Sequence, residues 1–272
     1  MKKTAFKALS LLLIFILTFS ALSGCSKGKT SQKQAYKIYY STIKKIVPEL
    51  MNKPQECDVD IITRDEVTFL GSHFVRNMSA NIKSQKVKGK LQYCLLNKSP
   101  EANITTLYCI KDNKFYTVST QLNGNSKSTL KEQNSSYIDS VLFTYLNTPL
   151  FKEDAIKSFT AEKKGKNTEL TLIVDGAKTE EKFAQRVMKE ILAGADDKLE
   201  DVKIILTVGK DGTPKKMSTE LSMTKLHNNG DLYAKKTLNM DFVFNKLKDV
   251  DFDLEKEVSK YASNPTIMDV DK

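Results

Sequence analysis

The chain has 272 residues and a formal net charge of +10 at pH 7, from 43 Lys and Arg against 33 Asp and Glu. Arginine, which phosphate and base recognition favour, occurs just three times, at Arg64, Arg76 and Arg186, so the composition argues against a nucleic-acid partner. Two histidines and the lack of a CxxC pair argue against a zinc site, and the sequence predicts neither a metal nor a cofactor.

The N-terminal residues have the three-part layout of a secretory signal. Lys2, Lys3 and Lys7 precede an apolar run at residues 11–19, and small residues follow it. A run of this length is too short for a membrane-spanning helix, which needs about 20 apolar residues. The segment Leu22-Ser23-Gly24-Cys25 resembles the lipobox of bacterial lipoproteins. That resemblance implies acylation of the Cys25 thiol and cleavage of the chain before it.

The lipobox sets the expected organisation and location of the protein. Residues 1–24 are then a lipoprotein signal peptide, residues 25–33 a lipidated flexible tether, residues 34–258 a β-rich domain and residues 259–272 a polar C-terminal tail. Because two or three acyl chains hold a protein firmly on a bilayer, we expect anchoring through Cys25 on the extracytoplasmic face of the cell membrane. The lysine-rich composition favours a Gram-positive-like cell.

The predicted elements begin with a helix from Gln34, in which apolar residues recur at intervals of three and four up to Val47. Pro48 ends this pattern. Five segments rich in β-branched and aromatic residues follow, at 57–67, 73–83, 87–97, 103–111 and 114–122. The turns between them are short, and parallel pairing would need long crossovers. The five segments therefore predict an antiparallel meander.

The second half of the chain combines two helical segments with further strands. Helices are predicted at 136–147, ended by Pro149, and at 180–193, capped by Thr179. Strands are predicted at 156–163, 168–174, 201–209, 214–226 and 231–246. These elements predict an α+β fold, a curved antiparallel half-barrel sheet covered by about three α-helices.

The last predicted strand alternates regularly between apolar and polar residues, as expected of an antiparallel sheet that is covered on one side. Its apolar side, with that of the two strands before it, is a candidate ligand cavity. The alternative is that these side chains pack against the helices as an ordinary core. The predicted lining consists of Leu206, Leu221, Met223, Leu238, Met240, Phe242 and Phe244.

The order of elements across residues 34–258 resembles the lipoprotein-carrier fold, the half-barrel family that includes LolA and the LppX-type lipoproteins. The closing segment also looks like that of uncharacterised Gram-positive lipoproteins, with Lys210-Asp211-Gly212, Pro214 and a turn at Gly230 between the last strands. In the carrier family the concave side of the sheet holds acyl chains. The resemblance therefore implies a lipid or lipoprotein ligand.

No catalytic pattern is present, and we predict that the protein is not an enzyme. The sequence lacks the nucleophile elbow, the phosphate loop and the H-E-x-x-H motif. The two histidines, His73 and His227, are predicted to be surface residues. Cys94 and Cys109 lie on neighbouring predicted strands, where either a disulfide or two buried thiols would fit.

An acidic run follows the last predicted strand, with carboxylates at alternate positions from Asp249 to Glu255. It lacks the turn glycine and the closing glutamate of an EF-hand loop. We expect a solvated strand edge here.

The leading hypothesis is a monomeric, non-catalytic binding module, held on the membrane by lipidated Cys25, for an apolar ligand such as an acyl chain or for a partner protein. The alternative is a structural or interaction lipoprotein with a fully packed core that docks on other envelope proteins. A solute receptor of an import system fits less well, because that class has two lobes built from repeated βα units.

Overall fold

A computed structural model of the chain describes residues 32–44, 56–88, 90–99, 104–111, 114–121, 129–133, 149–179, 198–227, 230, 232–260 and 266–268. Most of these residues belong to one curved sheet of 13 strands. The strands are Cys57–Phe69 (β1), Ser72–Val87 (β2), Lys90–Ser99 (β3), Ile104–Lys111 (β4), Lys114–Gln121 (β5), Thr129–Gln133 (β6), Ile156–Lys164 (β7), Asn167–Val174 (β8), Lys198–Leu199 (β9), Val202–Val208 (β10), Pro214–Leu226 (β11), Leu232–Lys246 (β12) and Thr266–Met268 (β13).

The strands follow one another in space almost as they do in sequence, in the order β13-β6-β5-β4-β3-β2-β1-β12-β11-β10-β8-β7, with β9 paired to β11. Most consecutive strands pair antiparallel, and Gly71 and Gly230 have the positive φ angles that the turns between β1 and β2 and between β11 and β12 need. Among the described strands, four pairings join strands that are not consecutive in the chain: β8 with β10 and β9 with β11 each skip one strand, and the other two are long-range. β13 pairs in parallel with β6, and β1 pairs with β12 along its length, which joins the two halves of the chain.

The two faces of the sheet differ in burial. Along each strand, every second side chain points to the inner face and is buried, and the side chains between them are exposed or half-buried. The inward-pointing side chains form one large core that includes Val59, Ile61, Leu206, Met240 and Phe242. This is the period-two pattern of a strand covered on one side. On the outer face the central strands carry mostly polar side chains.

A helix at the N-terminal end of the described chain, Gln32–Ile43 (α1), contributes its buried residues to the same inner core. The Tyr39 hydroxyl donates a hydrogen bond of 2.6 Å to the Pro149 carbonyl, and its ring stacks on Phe151 with a centroid distance of 4.8 Å. The Gln32 amide donates to the carbonyls of Glu153 and Ile156 at 2.7 and 2.9 Å. These contacts fix the start of α1 beside the first residues of β7.

The segment after β12 returns across the outer face and ends in a short helix, Leu254–Ser259 (α2). Its apolar residues form a second, smaller core with those of β3 and β4. Lys83 Nζ lies 3.3 Å from a carboxylate oxygen of Glu257. The Gln85 side chain donates a hydrogen bond to the Phe252 carbonyl and accepts one from the Phe252 backbone amide. These contacts attach the end of the domain to β2.

The acidic run at the start of this segment is not a strand edge, so that prediction was wrong. Asp253 is the N-cap of α2, and its carboxylate accepts hydrogen bonds from the backbone amides of Glu255 and Lys256 at 2.9 and 3.2 Å. A carboxylate at this position satisfies amides that lack a partner within the helix and favours the positive end of the helix.

The predicted α+β class with three covering helices is also wrong. The described residues form a predominantly β structure, in which the two α-helices are small beside the sheet. The helix expected from Gln34 is present and begins at Gln32, while α2 was not expected. The helices predicted at 136–147 and 180–193 lie outside the described residues. The predicted strands and their antiparallel order are confirmed, because their alternation and turns are local signals.

Cys94 and Cys109 face each other directly across β3 and β4, yet no disulfide joins them, and both are buried thiols, as is Cys57. Burial, together with the nearby Glu257 carboxylate and Cys109, raises the pKa of the Cys94 thiol to about 12, although Lys83 opposes the shift. Because thiolates are the reactive species, Cys94 is chemically inert at neutral pH.

We expect folded protein to react with iodoacetamide at Cys94 roughly a thousandfold more slowly at pH 8 than protein unfolded in urea, because of its raised pKa. Peptide mass spectrometry after timed labelling measures this ratio. The folded thiol keeps its proton up to about pH 12 and the unfolded thiol titrates near 9.0, so folding stability should also fall as the pH rises above that lower value. Rapid labelling of Cys94 in the folded state, or its recovery in a disulfide, would contradict this account.

Candidate functional site

The seven side chains predicted to line a cavity share the inner face of β10, β11 and β12. The register brings them together, since Leu221 lies opposite Leu238 and Met217 lies opposite Phe242. All seven belong to the inner core, and the most exposed of them, Phe244, is 6% exposed. The structure therefore places the predicted residues on one buried surface.

Methionines make up an unusual share of this surface. Met217, Met223 and Met240 are all buried there, on two adjacent strands. A methionine side chain has no branches and a polarisable sulfur, so it adapts to neighbours of different shape more easily than leucine or isoleucine does. This part of the inner face can thus repack around apolar groups of varied outline.

A buried ion pair lies at one end of the same surface. Lys236 and Asp65 are 3% and 4% exposed, and Lys236 Nζ lies 3.6 Å from Asp65 Oδ2. The same oxygen accepts a hydrogen bond of 2.6 Å from Nη2 of Arg76, whose side chain is half exposed. Lys236 is paired with Met223 in the sheet, and Asp65 with Leu238. The apolar surface therefore ends in a charged group with two cations and one anion.

Three polar atoms of the inner face are buried and have no hydrogen-bond partner among the described residues: Asp65 Oδ1, Asn97 Oδ1 and Thr219 Oγ1. Leaving a buried acceptor unsatisfied costs about 1–3 kcal/mol, so such atoms are uncommon in a finished core. Thr219 lies opposite Met240, and Asp65 is two strands away, about 10 Å across the sheet. Unsatisfied polar atoms thus flank the apolar surface.

The outer face of the same strands carries a shallow groove of about 280 Å³. Its charged residues are paired with one another or with close neighbours. Lys216 Nζ lies 2.8 Å from Asp241 Oδ2, and the Ser218 hydroxyl donates to Asp241 Oδ1 at 2.6 Å. Although partial burial opposes it, these bonds hold the pKa of Asp241 below its usual value. The charged groups of the groove are therefore paired with neighbours, while Ile62 and Ile205 supply apolar surface beside them.

The remaining predicted residues are not part of the inner face. Cys25 lies outside the described residues. His73 and His227 are on the surface, where the His227 ring packs edge-on against Tyr233 at 4.7 Å. Within the described ranges, no group of three or more His, Cys, Asp or Glu could hold a metal ion. In those ranges no helix has both the length and the apolar character to cross a membrane.

The buried ion pair was missed by sequence reasoning, although a local signal existed. Lys236 interrupts the apolar alternation between Ala234 and Leu238, at a position that should face inward. Asp65 interrupts the inward-facing series of β1 in the same way. Charged residues are almost never fully buried unless paired, and the pairing of β1 with β12 that supplies the partner is not visible in sequence.

No protein-family model and no curated protein matches the chain. Among solved structures, the chain is similar to a DUF1329 family protein from Desulfovibrio piger (10% identity, 82% of this chain and 98% of that chain covered, TM-score 0.31). It is also similar to an outer membrane lipoprotein-sorting protein domain from Vibrio parahaemolyticus (14%, 83% and 99%, TM-score 0.27). A third such structure is Rv2717c from M. tuberculosis (10%, 76% and 98%, TM-score 0.25).

With TM-scores of 0.25 to 0.31, these similarities carry no argument about the family, ligand, activity or location of this chain. The resemblance to the lipoprotein-carrier fold therefore stays a prediction from the sequence.

We expect Lys236→Met to lower the free energy of unfolding by about 3–5 kcal/mol, because it leaves the Asp65 carboxylate buried with a single, half-exposed partner. The double variant Asp65→Leu/Lys236→Met should recover most of this loss, since it removes both buried charges. The exposed neighbour Lys235 provides the control, and Lys235→Met should change stability by less than about 0.5 kcal/mol. Urea unfolding measures all three values. Equal costs for the Lys235 and Lys236 variants would show that the ion pair is not buried as described.

Proposed function

We propose that the protein is a membrane-anchored, extracytoplasmic and non-catalytic module that binds an amphiphile with an acyl chain against its inner face. The observation that carries this proposal is the set of buried polar atoms without partners beside the apolar, methionine-rich surface of β10–β12. A core that serves stability alone gains nothing from such atoms. A ligand that offers hydroxyl groups would satisfy them.

The two ends of the surface suit the two parts of such a ligand. Leu206, Met240, Phe242 and Phe244 offer an apolar surface for acyl chains, and burial of each CH₂ contributes about 0.8 kcal/mol. At the other end, Lys236 and Arg76 exceed Asp65 by one positive charge, while Asp65 Oδ1 is free to accept a hydrogen bond. This combination favours a head group with both an anionic group and a hydroxyl, as in phosphatidylglycerol.

The N-terminal sequence indicates the membrane as the source of this ligand. Lipidation of Cys25, which the lipobox implies, would hold the domain at a membrane surface. The tether of residues 25–31 that would join the lipid to α1 is short and polar. The domain would therefore remain close to lipids and lipoproteins of that membrane.

One observation favours the alternative, a structural or interaction lipoprotein. All seven predicted lining residues are nearly inaccessible, as in a core that is already full. In that case Phe242→Ala should cost about 3–5 kcal/mol, the usual penalty for a large-to-small core change. The same substitution in a ligand pocket costs less in the free protein, because the ring is partly unsupported there.

We therefore expect phosphatidylglycerol to raise the melting temperature of the parent protein through selective binding to the folded state. Phosphatidylcholine should raise it less. The double variant Asp65→Leu/Lys236→Met should lose this preference while keeping a response to both lipids, since its apolar surface is intact. Differential scanning calorimetry with each lipid in detergent measures the shifts. Unchanged melting with every lipid, together with a full core penalty for Phe242→Ala, would reject the lipid-binding function and leave the alternative.

The proposed anchor has its own test. Cys25→Ala should leave the protein as uncleaved precursor or release it from the membrane, because the thiol is the site of acylation. Cell fractionation and mass spectrometry of the N-terminal peptide measure the outcome, and Cys94→Ala is the control that should still be processed. Recovery of the Cys25 variant as a processed membrane protein would disprove the lipobox.

A further inference from the structure

Two hairpins project side by side from one end of the sheet. They are adjacent because β1 pairs with β12, and the Leu70 amide donates a hydrogen bond of 3.4 Å to the Tyr233 carbonyl between them. The pairing of β2 with β3 begins at Ser79, so β2 extends beyond β3 at this end. We call the described residues of 67–75 and 225–235 the hairpin tip.

The hairpin tip exposes large apolar side chains. Leu70 is 64% exposed, Phe74 60%, Leu232 53% and Leu226 48%. They come from both hairpins and lie at the same end of the sheet, since Leu226 pairs with Leu232 and β1 pairs with β12. A concentration of exposed apolar residues in two adjacent turns is typical of an interaction surface.

The polar groups of the hairpin tip are those found at membrane interfaces. Tyr233 lies among Phe69, His227 and Lys225, with ring distances of 5.1 and 4.7 Å and the Lys225 ammonium 5.7 Å from its ring centre. Lys235 is exposed beside them. The described residues of the tip include no carboxylate; Asp231 lies in the same stretch of sequence but outside the described part. Tyrosine beside apolar tips and lysines suits an anionic lipid surface.

The start of α1 lies in the half of the sheet that carries the hairpin tip. The Gln32 amide donates a hydrogen bond to the Ile156 carbonyl. Ile156 is nearly level with Leu238, because it pairs with Val174 and Val174 with Val202, while the next residue, Lys203, pairs with Glu220 beside the Leu221–Leu238 pair. From Leu238 to Leu232 along β12 is about 20 Å. The stretch from Cys25 to Gln32 spans up to about 25 Å when extended. A lipid on Cys25 can therefore reach the level of the hairpin tip.

We propose that the hairpin tip docks on the membrane that holds the lipid of Cys25, with Leu70, Phe74, Leu226 and Leu232 inserted among the acyl chains and Lys225 and Lys235 at anionic head groups. This proposal rests on the anchor of the proposed function. It gives the domain a fixed orientation, with the charged end of the inner face directed towards the bilayer, since Lys236 lies between Leu238 and the tip on β12.

The absence of tryptophan from the sequence allows a direct test. Each of Leu70→Trp and Phe74→Trp introduces a sole tryptophan into the tip, which can be excited apart from the tyrosines, and Ile62→Trp places one on the outer face at a matched exposure of 57%. The full chain, expressed with its signal and purified from membranes, is reconstituted into vesicles of phosphatidylglycerol and phosphatidylcholine with brominated acyl chains. We expect the tip tryptophans to be quenched at least about twofold and the Ile62 variant to be nearly unaffected, because bromine quenches only groups at acyl-chain depth.

A second pair of variants tests the charge. Lys235 and Lys246 are both exposed and lie near opposite ends of β12. In the Phe74→Trp protein, Lys235→Glu should reduce quenching in phosphatidylglycerol vesicles. Added salt should reduce the difference in quenching between the proteins with and without Lys235→Glu. Lys246→Glu should leave quenching unchanged.

Failure of docking and failure of the anchor give different results. Mass spectrometry of the N-terminal peptide shows whether Cys25 is acylated in the same preparation. If Cys25 is acylated and the protein is recovered with the vesicles, equal quenching at Ile62 and Phe74 or no quenching at the tip overturns docking alone. If Cys25 is unmodified and the protein is not recovered with the vesicles, both the anchor and the docking that depends on it are overturned.

Discussion

The pairing of β1 with β12 is the constraint on which the rest of the structure depends. It joins an N-terminal meander to the closing strands and makes one sheet of them. Its register places Ile61 opposite Phe242 and Asp65 opposite Leu238, all on the inner face. Because side chains alternate along a strand, a slip by one residue would turn Asp65 outwards and leave Lys236 buried without its carboxylate. The ion pair therefore specifies the register as well as benefiting from it.

The same pairing connects the inner face, where the ligand would bind, with the hairpin tip, which would dock on the membrane. The inward-facing positions of β12 run from Leu232 at the hairpin tip through Ala234 and Lys236 to Leu238. In the proposed function, a lipid leaving the bilayer at the tip would meet the charged pair first and the methionine-rich surface beyond it. Membrane docking and ligand binding would then share one strand, with the head group held near Lys236 and the acyl chain further inside.

Sequence reasoning succeeded where the signal is local. The alternation of β12, the glycine turns and the apolar spacing of α1 each follow from a few consecutive residues, and the predicted strands agree closely with those observed. It failed for features that depend on distant contacts or on short elements. Helix α2 has six residues, too few for a periodic pattern, and its N-cap Asp253 was mistaken for part of a solvated strand edge. The pairing of β13 with β6 is likewise beyond local signals.

The candidate site was half predictable. The seven apolar residues could be assigned to one face because period-two alternation fixes the face of each side chain. Lys236 occupies the same series, but a charged residue is expected to be solvated, and its partner Asp65 is distant in sequence. What distinguishes a ligand surface from a plain core is therefore the set of unsatisfied polar atoms, and these can be recognised only in three dimensions.

The measurement that tests the central claim most directly is photo-crosslinking with phosphatidylglycerol that carries a diazirine in its acyl chain, followed by peptide mass spectrometry. Binding at the inner face predicts labels on inward-facing residues of β11 and β12, chiefly Met217, Met240 and Phe242, and competition by unlabelled phosphatidylglycerol. Labels confined to the hairpin tip, or to no defined segment, would contradict binding at the inner face and indicate a domain whose core is fully packed.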